Sequence, residues 1–214
     1  MKSCGFFLVR PTNTGRITGM PGSRVRGVDL TNMAEVMDAV GKDGVVQLIH
    51  MAVQYHKMPQ LRELLSLGAN VDARDEGGRT PLFTAARLGD IDTMTVLLEH
   101  NANVLAEDLI GRTPLHWAVF AKKDVAVTLL LDNGASIEAK DEDGCTPLHL
   151  AADADDVPTF RFLIDRGANM FAVDKKGFNT LVRAALGGHM NIAEFIATYG
   201  MEDGHPFHPG FMSH

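Results

Sequence analysis

Apolar residues in this chain return at helical spacing and are broken at fixed intervals by turns. In the clearest stretch, Leu115, Ala118 and Val119 fall on one helical face, and after Ala121-Lys122-Lys123-Asp124 a second apolar series follows with Val125, Val127, Leu129 and Leu130. The pattern predicts two short antiparallel helices. Ahead of them Asp108 and Gly111 supply turn chemistry, and Thr113-Pro114 supplies a helix start. Threonine caps, and proline takes the first helical position, where a missing N–H costs nothing. Behind them, Asn133-Gly134-Ala135 puts glycine at the left-handed position that follows a helix.

The unit recurs. Gly111-Arg112-Thr113-Pro114-Leu115-His116-Trp117-Ala118 is matched by Gly78-Arg79-Thr80-Pro81-Leu82-Phe83-Thr84-Ala85 and by Gly144-Cys145-Thr146-Pro147-Leu148-His149-Leu150-Ala151, with 33 residues from threonine to threonine both times. One more period each way lands on the degenerate Gln47-Leu48-Ile49-His50-Met51-Ala52 and Asn179-Thr180-Leu181-Val182-Arg183-Ala184. The closing turn returns as Leu67-Gly68-Ala69 and Arg166-Gly167-Ala168, with Asn101 as the next best left-handed residue in the second unit. Five units are therefore expected, at about 43–74, 75–107, 108–140, 141–173 and 174–206, with Leu82, Leu115, Leu148 and Leu181 in one continuous core. The first unit lacks Thr-Pro and opens on a short Asp43-Gly44 turn, and both end units read as capping variants with a single neighbour. Before them, Asn32 with Glu35, and Met33, Val36, Met37 and Val40 on one face, predict a short helix ending at Gly41, an N-terminal cap over 28–42.

Turn, helix, helix and closing Gly-Ala in 33 residues, with Thr-Pro-Leu-His at a fixed place, resembles the ankyrin repeat family over roughly Asp43 to Pro206. The resemblance implies an all-α solenoid of stacked helix-turn-helix units joined by β-turn or hairpin loops. It also implies that the histidine of Thr-Pro-Leu-His is a structural residue bonding between adjacent turns.

Charge divides unevenly. Residues 1–42 carry Lys2, Arg10, Arg16, Arg24, Arg26 and Lys42 against Asp29, Glu35 and Asp38, a net +3, which leaves −10 for the rest of a chain whose total is −7. An acidic array is a poor polyelectrolyte for nucleic acid, so no nucleic-acid partner is expected. Residues 1–27, rich in glycine and basic residues and without acids, read as a flexible arm, or alternatively as an organelle address. No apolar run approaches membrane-spanning length, so no membrane association is expected. Cys4 and Cys145 lie far apart, which favours a reducing, cytoplasmic setting. The tail 207–214, following Pro206, is expected to be disordered.

Clusters that resemble chemistry have structural explanations. His149 with Asp153, Asp155 and Asp156 could be read as a metal set, but His149 holds the place of His116 one unit earlier. Asp155 and Asp156 suit the start of the next helix, with Pro158 just inside. Cys145 sits in a turn beside Asp141, Glu142 and Asp143, where negative charge suppresses the thiolate. His205, His208 and His214 match no closed metal site. With no nucleophile elbow, phosphate loop or Cys-x-x-Cys pair, neither catalysis nor a cofactor or metal is expected.

The resemblance implies binding through the concave face of turn tips and first helices. Its variable positions here include Arg74, Glu76, Arg79, Arg87 and Leu88, then Glu107, Leu109, Ile110, Arg112 and Phe120, then Lys140, Glu142, Asp143, Cys145 and Asp153, and finally Val173, Phe178 and Leu186. Leu109-Ile110 is an aliphatic pair where a turn tip is normally polar, the kind of exposure that marks a partner site. The expected hot spot is Leu88, Leu109, Ile110 and Phe120, flanked by Arg79, Arg87 and Arg112, with Glu142, Asp143 and Asp153 steering a basic part of the partner. Trp117 is set aside as partly buried core. The expected function is a non-catalytic protein-binding adaptor, monomeric when unbound. The alternative is an inhibitor or immunity-type protein that occludes an enzyme's active site.

Overall fold

A computed structural model describes residues 33–199 of the 214-residue chain. The predicted arm 1–27, tail 207–214 and terminal parts of the capping and fifth segments, 28–32 and 200–206, lie outside the described residues.

Ten helices and no strands make up the described chain. The first helices of successive pairs are α1 (Met33–Gln54), α3 (Pro81–Leu88), α5 (Pro114–Phe120), α7 (Pro147–Asp153) and α9 (Thr180–Gly187). Their partners are α2 (Met58–Ser66), α4 (Ile91–Glu99), α6 (Asp124–Asp132), α8 (Val157–Asp165) and α10 (Met190–Tyr199). Each odd helix packs on its own partner and on the next odd helix, while α4 lies against α6 and α8 against α10. The result is an all-α stack.

The start and stop signals act where the sequence puts them. Thr80, Thr113 and Thr146 are extended N-caps with proline at the first helical positions, although the Thr80 hydroxyl makes no capping hydrogen bond, and Asp156 caps α8 by accepting from the Thr159 N–H. Asn101 takes the left-handed conformation, φ 61°, that glycine holds in the other closing turns. One hydrophobic core runs through the stack, and Ile49, Leu82, Leu115 and Leu148 occupy equivalent, fully buried places in it.

Two expectations are corrected. Leu181 does not join that row: it is 42% exposed, because α9 belongs to the last described pair and no further described pair covers its outer side. Nor is Asp43-Gly44 a turn. The break falls at Gly41, whose φ of 67° and ψ of −176° no helix tolerates, and Asp43 and Gly44 already belong to the helical run that follows. Gly44 is buried, and a Cβ there would meet Val40 Cβ at 2.4 Å, so glycine at 44 lets the two helical pieces close on each other.

Candidate protein-binding face

The turn tips are built by one aspartate each. Asp108 Oδ1 accepts the N–H groups of Ile110 (3.1 Å) and Arg112 (2.9 Å), and Asp75, Asp141 and Asp174 repeat this with the residues two and four places on. The second carboxylate oxygen is met differently each time. Asp75 pairs with Arg79 at 2.9 Å, Asp108 accepts Trp117 Nε1–H at 2.9 Å, Asp141 accepts Arg112 Nε–H at 3.3 Å, and Asp174 accepts Arg183 Nη1–H at 2.8 Å. Burial opposes ionisation of Asp75 and Asp174, but these hydrogen bonds outweigh it and hold both carboxyls below the usual range.

Successive tips are tied backbone to backbone: Leu109 N–H to Gly77 O (3.0 Å), Glu142 N–H to Ile110 O (2.9 Å) and Lys175 N–H to Asp143 O (2.8 Å). At Gly111, with φ 73°, a Cβ would stand 3.0 Å from Glu142 N, so only glycine allows this approach. The ladder uses the main chain and leaves the side chains outside it. Leu109 is 68% exposed and Ile110 45%, although Leu109 also rests against Gly78.

Beside the tips, α1, α3 and α5 form an open groove of about 610 Å³. Phe83 and Trp117 line it with Arg79, Arg87, Tyr55 and Phe120. The Arg79 guanidinium lies 5.7 Å from the centre of the Trp117 ring, and Trp117 meets Phe120 edge to face at 6.4 Å. Phe83 is almost wholly buried and shapes the groove from beneath, whereas Phe120 is 58% exposed and Tyr55 stands similarly free at the rim. Arg87 donates to Gln54 Oε1 at 3.2 Å and has no carboxylate partner among the described residues.

The residues singled out from the sequence therefore do not form one cluster. Arg79, Arg87 and Phe120 line the groove, Leu109 and Ile110 sit on the tips, Arg112 is part of a tip with its guanidinium held by Asp141, and Leu88, half-buried at the end of α3, lines neither. Glu142 and Asp143 are exposed on the fourth tip. Asp153 is engaged by Arg183, which also reaches Asp174, so its charge is answered within the stack. Hydrogen bonding to Asp153 is the main reason the Arg183 guanidinium holds its proton more tightly than usual. Cys145, counted among the surface positions, is only 3% exposed. Burial, ahead of the acids around it and against the pull of Arg183, pushes its thiol up to about 11. Trp117, set aside as core, is half-buried and lines the groove, as do His50, Met51, Gln54 and Tyr55 of the degenerate first unit. The nine-residue spacing from Asp108 to Trp117 and from Asp174 to Arg183 is the signal that would have found both donors.

His149 is no ligand: its Nδ1 accepts the Thr146 N–H at 3.1 Å and its Nε2 faces Phe178 O at 3.3 Å. His116 does the same with Thr113 (3.1 Å) and Cys145 O (3.1 Å). A backbone N–H can only donate, so Nδ1 is the acceptor and the proton sits on Nε2. Among the described residues, no group of three or more His, Cys, Asp and Glu is arranged to hold a metal ion, and no helix is long and apolar enough to cross a membrane.

A family model described as "Ankyrin repeats (3 copies)" matches residues 49–141 and 121–204. A search of curated proteins gives no match.

Proposed function

Because the chain belongs to the ankyrin repeat family, whose members generally mediate protein–protein interaction, we propose that it is a non-catalytic adaptor that binds a partner protein through its tip-and-groove face. The observation that supports this is the exposure of Phe120, Leu109 and Ile110 on that one face, beside Arg79 and Arg87. Exposed aromatic and aliphatic side chains next to arginines are the composition in which truncation weakens binding most. The five helix pairs are read as five repeats, of which the outer two act as caps. Glu142 and Asp143 remain as steering charges for a basic rim of the partner, a role that Asp153, bound to Arg183, does not share.

Immobilised full-length protein, offered native lysate, tests this once a partner has been captured and purified. Phe120→Ala and Ile110→Ala should each weaken that complex by on the order of 2 kcal/mol, mainly through the off-rate. Asp143→Asn should change the salt dependence of the on-rate instead. Wild-type binding by both face variants, with loss of the complex on Glu99→Ala or Asp132→Ala in the second helices, would place the partner on the other side.

A further inference from the structure

The groove and its border differ in charge from the rest of the molecule. In the last turn of α3 stands Arg87, and just beyond the ends of α1 and α5 stand Lys57, Lys122 and Lys123; none of them is paired with a carboxylate among the described residues. Lys122 reaches only a carbonyl, Ala154 O at 2.9 Å, and a Cβ on Gly89 would meet the Lys123 side chain, which lies across the third and second pairs. Two of the acids on this edge are held by other side chains. Asp90 is held by His56 (2.7 Å) and Thr93, and Asp124 accepts the Thr159 hydroxyl (2.7 Å). Among the described residues that line the groove the only carboxylate is Asp75, whose oxygens are taken by Gly77 and Arg79. At the fourth pair the corresponding positions carry acids instead, Asp155 and Asp156 together with Asp153, which Arg183 pairs.

We propose that the groove over α1, α3 and α5 binds an acidic peptide segment that carries an aromatic or aliphatic side chain, a deepening of the protein-binding reading above. The apolar side chain lies against Trp117, Phe120 and Tyr55, and the carboxylates meet Arg87 and the Lys122-Lys123 edge. Charge complementarity selects this occupant. Residues 43–214 carry a net −10, so an anionic segment is favoured at a local cationic edge over the acidic remainder of the stack, and screening over about 8 Å keeps that edge distinct from the acids of the later pairs. The segment's acids therefore fix where it binds, while its apolar residue supplies most of the affinity.

A random peptide library displayed on phage and selected on the full-length protein tests the chemistry without knowing the partner. Selected peptides should be net negative with an aromatic or aliphatic residue beside the acids, and polyglutamate of equal length should not bind. Arg87→Glu should weaken the selected peptides about tenfold, Phe120→Ala similarly, and a peptide with its acids exchanged for lysines should bind Arg87→Glu better than wild type. Melting curves of both variants guard against misfolding, and Lys122→Glu, at an exposed position, gives a second probe of the same edge. Neutral or basic selections, selections indifferent to both Arg87 and Phe120, or no selection at all would overturn the inference. Protein binding through the face would then still stand or fall on the Ile110 and Phe120 variants with the captured partner.

Discussion

The second helix pair and the two that follow share Thr-Pro-Leu at the start of their first helices and part at the next residue. His116 and His149 take the threonine N–H on Nδ1, lie within 3.0 and 2.9 Å of the threonine hydroxyl, and use Nε2 to reach a carbonyl of the next unit. Phe83 can do none of this, and Thr80 Oγ1 is left buried without a partner. What Phe83 does instead is form the base of the groove beneath Arg79 and Arg87. The repeat's histidine is thus a junction device. At the position where it is replaced, a hydrogen-bonding role has given way to an aromatic one on the groove side, as expected if the proposed binding face departs from the rule its scaffold otherwise follows.

The largest test of the stack sets its middle against its end. Leu115 is fully buried between neighbouring pairs, so Leu115→Ala should cost roughly 2 to 5 kcal/mol. Leu181, at the matching place in α9 but 42% exposed, should cost far less on the same change, within about 1 kcal/mol. Denaturant melts of the two variants decide it. Equal losses would mean that something covers α9 in solution and that the end pair is not an end.

Next in size is the junction itself. His116→Ala leaves the Thr113 N–H buried without a partner and takes one of two donors from the Cys145 carbonyl, which keeps the Asp141 N–H, and should destabilise by about 1 to 3 kcal/mol. The histidines also make stability depend on pH. Burial, outweighing the backbone hydrogen bond each makes, lowers the pKa of His50, His116 and His149 below 6.5 in the folded chain. The unfolded chain therefore binds more protons just below pH 6.5, and stability is fully present above that value and falls as pH drops through it. Protonation would also put a second donor against the Thr113 N–H. Melting temperatures between pH 8 and 5 should decline for wild type and decline less steeply for His116→Ala, where one of the three groups is gone. A flat profile would mean that these imidazoles titrate normally.

Much of this was legible in the sequence because it is local chemistry repeated in register. Thr-Pro starts, turn aspartates, closing Gly or Asn101 and the row Leu82, Leu115, Leu148 each follow from a few adjacent residues. What was not legible depends on neighbours across the stack or on its ends. Asp153 looks like a free charge until Arg183, 30 residues on, is brought beside it. Cys145 looks like a tip residue until the next unit covers it. Trp117 reads as apolar filling unless its indole N–H is followed to Asp108. The cap and first unit misled for another reason: two helical runs joined at a left-handed Gly41 carry no turn at Asp43-Gly44, and Gly44 is there for close packing on Val40. The candidate site suffered most, since a groove across α1, α3 and α5 draws on a first unit too degenerate to map position by position.

The smallest expected effect separates the second junction from the third. Thr80 and Thr113 are both extended N-caps with buried hydroxyls, yet only the Thr113 hydroxyl has a partner, His116 Nδ1 at 3.0 Å. Valine keeps the shape of threonine and removes the hydroxyl. Thr113→Val should therefore lose about 1 kcal/mol, the net worth of an ordinary hydrogen bond. Thr80→Val removes a polar atom that was desolvated for nothing, and should leave stability unchanged or raise it slightly. Phe83→His then closes the cycle: it offers Thr80 the acceptor that the later pairs have and should stabilise more in the wild-type background than in Thr80→Val. That difference isolates the restored bond from the loss of the buried phenyl ring, which is common to both backgrounds. If Thr80→Val is as damaging as Thr113→Val, the Thr80 hydroxyl has a partner in solution and the second junction is no different from the others.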